Sequence, residues 1–270
     1  MVYWPCNMRL IRDVFGGFFF TLLLMRETHA SPKMKEEKII FQAGSLHLEG
    51  YYAPAGSGRG VVVTHPHPLM GGSLENNVVG TLVKAFFHHG YSTLRFNFRG
   101  VGRSEGRYDE GRGEQEDLLA AADVLQQKGA REIILAGYSF GAWVNVQVLR
   151  RRQSLDGGVL VSPPIDLMDF DFSHLAGRIR LILAGDRDPY CNIPRLLEMA
   201  GRIGVPVKLL TGADHFYFGS ISEGKKSSLR ILRNYGRGNP DRDLQIARKI
   251  LIFNLKEKQR QAKKLCGNQG

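Results

Sequence analysis

The sequence predicts an α/β protein, with a mainly parallel central sheet covered by helices on both faces. Three observations carry that expectation. Short β-branched runs alternate with longer segments of helical periodicity, the pattern of right-handed β–α–β crossovers. Several apolar runs are continuous where a half-buried strand would alternate, as in strands covered on both faces. The composition, 43% hydrophobic with 32 glycines in 270 residues, suits a globular, loop-rich α/β chain and not a disordered one. At this length such a fold usually runs as one domain.

Each element follows from its own residues. KIIFQA and HLEGYY, separated by Gly44-Ser45, predict an opening hairpin. RGVVVTH is a β-branched run expected in the sheet interior. Residues 77–88, NVVGTLVKAFFH, carry apolar residues at helical spacing and stop before Gly90. STLRFNF predicts the next strand, and EQEDLLAAADVLQQK a helix with acids in its first turn, where they suit the dipole. REIILAG is a strand, AWVNVQVLRR a helix, and GGVLVS and RIRLILAG are strands. NIPRLLEMAGRI predicts a helix and VPVKLL the last clear strand.

The formal net charge of +11 belongs to the ends of the chain. Residues 221–270 hold 13 Lys/Arg against 4 Asp/Glu, residues 1–33 hold 4 against 2, and residues 34–220 hold 20 of each. The basic balance therefore does not mark a nucleic-acid site in the body of the protein. We divide the chain into a leader (1–33), a main domain (34–220) and a basic tail (221–270) with an expected helix over 241–264. The tail is read as solvated, with nucleic acid or anionic membrane as alternative partners. The leader holds a twelve-residue apolar run, VFGGFFFTLLLM, followed by Thr28-His29-Ala30. Three readings stay open: a signal-like segment, a dispensable stretch before a start at Met34, and a membrane anchor, for which twelve residues fall short of the ~20 that span a bilayer. Cys6, Cys191 and Cys266 are too widely spaced for a zinc knuckle or a disulfide framework, so a reduced, cytoplasmic chain is expected, or a secreted one if the leader is a signal.

In parallel sheets, reactive groups collect at the carboxyl ends of strands. After REIILA comes Ser139, within GYSFGA; after RIRLILA comes GDRDP, with Asp186 and Asp188; after VPVKLL comes TGADHFYFG, with His215. Nucleophile, carboxylate and imidazole thus follow three strands, in the order expected of nucleophile-elbow hydrolases. A serine hydroxyl needs an adjacent base, the imidazole can supply one, and a carboxylate behind the ring selects the useful tautomer. Asp188 is favoured over Asp186, whose place directly after Gly185 suits a turn former. The glycines around Ser139 are expected to permit a strained backbone. For an oxyanion hole, one donor is expected from the backbone N–H of Phe140. The other is expected from HPHPLMGGSLENN: Pro66 and Pro68 have no N–H, which leaves His67, with Leu69 or Met70 as fallback. His65 and His67, with His88 and His89, raise the alternative of a metal, but the one carboxylate in that loop is Glu75. We expect no metal and no cofactor.

GYSFGA, HPHPLMGGSLENNVV, FNFRGVGRSEG, GDRDPY and GADHFYFG together resemble the small α/β-hydrolase group near the dienelactone-hydrolase and serine-aminopeptidase-like families, over roughly residues 36–220. The resemblance implies an α/β-hydrolase fold with Ser139, Asp188 and His215 as catalytic triad, and it implies no particular substrate. In that fold a lid often enters between the strands GGVLVS and RIRLILAG. Here only the fifteen residues PPIDLMDFDFSHLAG intervene, so no large lid domain and an open site are expected. Arg99 and Arg103 near the sheet edge are candidates to meet a substrate carboxylate, with a salt-linked loop as the competing role, and Tyr138 is a candidate pocket wall. The expected function is a serine hydrolase that cleaves small carboxylic esters or related acyl bonds through an acyl-enzyme. Aminopeptidase-like or thioesterase activity on the same triad, and a non-catalytic binder, are the alternatives.

Overall fold

The structure, a computed structural model, describes residues 33–217 and 231–232. The leader and the basic tail, with its expected helix over 241–264, otherwise lie outside the described residues. Among the described residues no helix is long and apolar enough to cross a membrane.

The hairpin expected at the start is β1 (Glu37–Ala43) and β2 (Leu46–Ala53), paired antiparallel. It is followed by β3 (Arg59–Thr64), α1 (Asn77–His88), β4 (Ser92–Phe96), α2 (Arg112–Gln127), β5 (Glu132–Tyr138) and α3 (Phe140–Arg151). Then come β6 (Gly158–Val161), β7 (Ile179–Gly185), α4 (Ile193–Arg202), β8 (Val207–Leu210) and β9 (Ile231–Leu232). The nine strands form one sheet in the order β1-β2-β4-β3-β5-β6-β7-β8-β9. Pairing is parallel from β4 through β8 and antiparallel at both margins. Beyond VPVKLL (β8), the last strand expected from the sequence, β9 adds two residues, Ile231 opposite Lys208 and Leu232 opposite Val207.

Continuous apolar runs behave as strands covered twice. Val62, Leu135, Leu160 and Ile182 join one core cluster with the apolar faces of α2, α3 and α4. Their immediate neighbours Val61, Val63, Ile134, Val159 and Leu183 join the other cluster, with Val79, Leu82 and Phe86 of α1. Period-two strand geometry divides one apolar string between two cores. The connection after β3 runs through α1 on one face, and that after β5 through α3 on the other. The two connections part between adjacent strands, which opens a crevice at the carboxyl ends of β3 and β5.

Two differences in helix and strand bounds have local causes. STLRFNF ends as a strand at Phe96, and Asn97 begins the turn, with its N–H on Glu49 O at 3.0 Å and its side chain donating to Glu49 Oε1 and accepting the Leu74 N–H, each at 2.8 Å. The second helix begins at Arg112, two residues before the expected start. Glu114 is thus in its first turn, and its buried carboxylate reaches back to accept the N–H groups of Gly111 (2.7 Å) and Asp109 (2.9 Å). Between β6 and β7 the chain makes turns but no helix or strand. This short segment is tied down by Trp143 Nε1–H on Asp169 O (2.7 Å), Asp166 N–H on Tyr190 O (3.2 Å) and Arg195 on Ile165 O (3.1 Å).

Candidate active site

β5 ends at Tyr138 and α3 begins at Phe140, so a single residue makes the turn between them. That residue, Ser139, has φ 56° and ψ −117°, a conformation that costs an L-residue about 1–3 kcal/mol. Its own N–H donates to Val161 O at 2.9 Å, which ties the turn to β6. The expectation for the flanking glycines needs correction. Neither Gly137 nor Gly141 has a positive φ, so the serine itself carries the strain. The glycines supply room: a Cβ on Gly137 would stand 2.5 Å from the backbone of Gly141, and one on Gly141 would stand 2.6 Å from Thr64 Oγ1. Any side chain at either position would push strand and helix apart.

A buried amide outside the residues expected from the sequence braces this turn. Oriented to satisfy its neighbours, Asn145 donates to Thr64 Oγ1 and Gly141 O and accepts from Gly137 N–H, each at 3.0 Å. It lies one helical turn after Gly141 on α3 and is fully buried. A polar residue on the inner face of an otherwise apolar helix was the available signal.

Ser139 Oγ lies 2.9 Å from His215 Nε2. On the other side of the ring, Nδ1 is 2.8 Å from Asp188 Oδ2 and 3.0 Å from Oδ1. A proton on Nδ1 serves both contacts, since the N–H then donates to the carboxylate and the bare Nε2 accepts from the serine. Asp188 and His215 are buried, and Asp188 Oδ1 also accepts the Tyr190 N–H at 2.9 Å. Asp186 is exposed and accepts the Gly212 N–H at 2.7 Å, so it closes the turn beside the histidine loop without touching the ring. The imidazole is boxed by Tyr190 at 4.9 Å and Phe216 at 5.2 Å, both edge-on, and by the Tyr138 ring at 5.8 Å.

The loop after β3 separates the two histidines of the H-x-H pair. His65 is buried, accepts the Phe98 N–H at Nε2 (3.0 Å) and lies with Nδ1 2.6 Å from Pro66 O. Both ring nitrogens are used, which leaves no lone pair for a metal. Among the described residues no three His, Cys, Asp or Glu side chains group as metal ligands. Burial pushes the His65 imidazole down to about 4. The unfolded chain therefore binds a proton at His65 between the ordinary value of ~6.5 and about 4, where the folded chain does not. This contribution is complete above that window and is lost as pH falls through it, a change of about 3 kcal/mol. Urea titrations at pH 7 and pH 4 should show wild type losing more stability on acidification than His65→Gln.

His67 is different. Its φ is −54°, its Nδ1 accepts the Leu69 N–H at 3.2 Å, and its carbonyl accepts the Met70 N–H at 3.0 Å. Both fallback donors are thus occupied. The N–H groups of His67 and Phe140 meet no acceptor among the described residues. The two residues are neighbours, with ring centroids 5.0 Å apart, and Tyr108 packs on both.

Comparison with known proteins bears on the family and the fold. The profile described as serine aminopeptidase, S33, matches residues 69–183. An uncharacterised protein of Rickettsia prowazekii is 37% identical over 220 residues, covering 75% of this chain and 92% of the relative. An alpha-beta serine hydrolase homologue from Coxiella burnetii is 36% identical with a TM-score of 0.60, covering 67% of this chain and 89% of that one. The chain belongs to the α/β-hydrolase superfamily. A solved relative from Xanthomonas campestris, an a/b serine hydrolase without lid, is 26% identical with a TM-score of 0.61, covering 68% of this chain and 87% of that one. The present chain likewise has only the short β6–β7 segment where a lid would enter.

Within the hydrolase fold, two of the three candidate substrate-binding residues, Arg99 and Tyr138, have other occupations. Arg99 is committed to the fully buried carboxylate of Asp117, through Nη2 (2.7 Å), Nε (3.1 Å) and its backbone N–H (3.0 Å). This is the salt-linked loop role, and it fixes the turn after β4 on α2. Arg103 is exposed, with its backbone N–H on Glu49 Oε1 at 2.7 Å. Tyr138 is buried and does not wall an open pocket; its hydroxyl donates to His215 O at 2.8 Å, which ties the histidine loop to β5. Tyr217, also unremarked in the sequence, shares a 2.8 Å hydrogen bond with Ser162 and anchors the far side of the same loop.

Proposed function

We propose that this α/β hydrolase cleaves carboxylic esters or closely related acyl bonds by nucleophilic catalysis, with Ser139, His215 and Asp188 as the triad. The observation that carries the reading is the unbroken hydrogen-bonded chain from Asp188 through His215 to a serine held at φ 56°. In the first half-reaction Ser139 Oγ attacks the acyl carbon while its proton passes to His215 Nε2. Asp188 keeps the ring in the required tautomer and stabilises the imidazolium. The oxyanion that forms accepts from the N–H groups of Phe140 and His67, and Phe140 adds the positive end of α3. Collapse breaks the acyl bond, His215 returns the proton to the leaving group, and the acyl group stays on Ser139. Water, deprotonated by His215, then releases the acid.

The role of the His67 N–H has a clean test, because φ −54° is already a proline angle. His67→Pro removes the donor with little backbone cost, and kcat should fall by about 10²-fold. His67→Ala, which keeps the N–H, should lose much less. Equal losses in the two variants would remove His67 from the oxyanion hole.

The reaction class is tested with p-nitrophenyl esters, acyl thioesters and aminoacyl amides offered to the same preparation. The proposal expects the esters to be turned over fastest. Preferred cleavage of the amides would move the activity toward the aminopeptidases for which the matching profile is named. A folded protein inert to all three would be a binder.

A further inference from the structure

Among the described residues five large apolar side chains stand well exposed: Ile40 (70%), Leu69 (72%), Met70 (85%), Leu167 (65%) and Phe216 (50%). Ile40 belongs to β1 at the margin of the sheet. The other four are on loops at the carboxyl ends of β3, β6 and β8, and each loop is fastened to the site. Met70 bonds back to His67, whose ring packs on Phe140. The segment carrying Leu167 bonds through Asp166 to Tyr190, whose ring edge meets His215. Phe216 stacks edge-on against His215 itself. Apolar exposure gathered around one position marks a binding surface more often than scattered exposure does.

We infer that these four side chains form an open apolar rim on which the hydrocarbon chain of an aliphatic acyl substrate lies while its carbonyl meets Ser139. The inference rests on the proposed reaction at that serine and names its substrate class: amphiphilic esters or thioesters with a chain of several methylenes. The occupant is a single substrate chain because each of the three loops is bonded to or packed on a residue of the proposed acyl site or its immediate neighbour: Met70 on His67, Asp166 on Tyr190 and Phe216 on His215. The β6–β7 segment, where a lid would enter, makes only turns and is tied down, so nothing on it can fold over to bury a chain in a tunnel. A surface-bound methylene gains about half of what a buried one does, roughly twofold in affinity per methylene.

The test uses the full chain in two forms. Wild type is assayed with p-nitrophenyl butyrate, hexanoate and octanoate, and Ser139→Ala is titrated calorimetrically with the matching methyl esters, all below their solubility limits. Both kcat/KM and affinity should rise about 16-fold from four to eight carbons. Leu69→Gln/Met70→Gln and, separately, Phe216→Gln should flatten the octanoate-to-butyrate ratio, whereas Ile40→Gln should keep it. A flat series in both forms, or a slope retained in the rim variants, overturns the inference. So does a rate that climbs only when the ester aggregates or is presented in vesicles, which would make the rim a lipid-surface contact. Sloped binding without cleavage in wild type would remove the catalytic reading and keep the rim. Cleavage without a slope would do the reverse.

Discussion

Ser139→Ala should lower kcat for ester hydrolysis by about 10⁴-fold or more while the protein stays folded. In the proposed reaction the hydroxyl is the atom that becomes bonded to the acyl group. Among the described residues Ser139 Oγ has one side-chain partner, His215 Nε2 at 2.9 Å, so its removal leaves one imidazole acceptor unbonded and little else disturbed. Alanine keeps the same strained backbone, so the thermal midpoint should move by only a few degrees. Activity assays paired with circular dichroism melts check both halves. A variant that unfolds, or one that keeps a tenth of its activity, is not the expected result.

The two aspartates of GDRDP give the second large effect. Asp188→Asn should cost about 10⁴-fold in kcat with KM little changed. An asparagine amide can turn its NH₂ toward Nδ1, which places the ring proton on Nε2, and that nitrogen can then no longer accept from Ser139. Asp186→Asn retains the oxygen that accepts the Gly212 N–H and should stay within about tenfold of wild type in kcat. Steady-state kinetics of the two variants separate them directly. Comparable losses would mean that the turn as a whole, and not one carboxylate, supports the histidine.

Much of the fold was legible because its information is local. Continuous runs such as GVVV and IILA can serve only as strands covered twice, and the glycine-bounded helical segments between them leave crossovers as the economical connection. The site was legible in outline for the same reason, since each of its three side chains follows directly on such a strand. What stayed closed depends on contacts across the sheet. Asp186 and Asp188 are two residues apart in one turn, and only the registry of β7 with the loop after β8 decides which faces the imidazole. Glycine at 137 and 141 has two physical uses, positive φ and close approach, and a sequence does not distinguish them until Thr64 and the elbow backbone are brought alongside. Arg99 looked available because its partner, Asp117, is one of several acids on α2. Nothing local says that this one is fully buried. Tyr138 read as a pocket wall from its place beside the nucleophile, but strand alternation turns its ring to the α1 side of the sheet, under the His215 loop.

Activation of Ser139 by His215 is open to covalent capture. The folded full-length chain is incubated with an alkyl fluorophosphonate and its peptides are mapped by mass spectrometry. Attack by an activated serine forms the O–P bond and expels fluoride, so one phosphonylated residue is predicted, Ser139, with labelling lost in His215→Ala. A folded protein that stays unlabelled, or that carries the adduct on another residue, would mean that Ser139 is not an activated nucleophile.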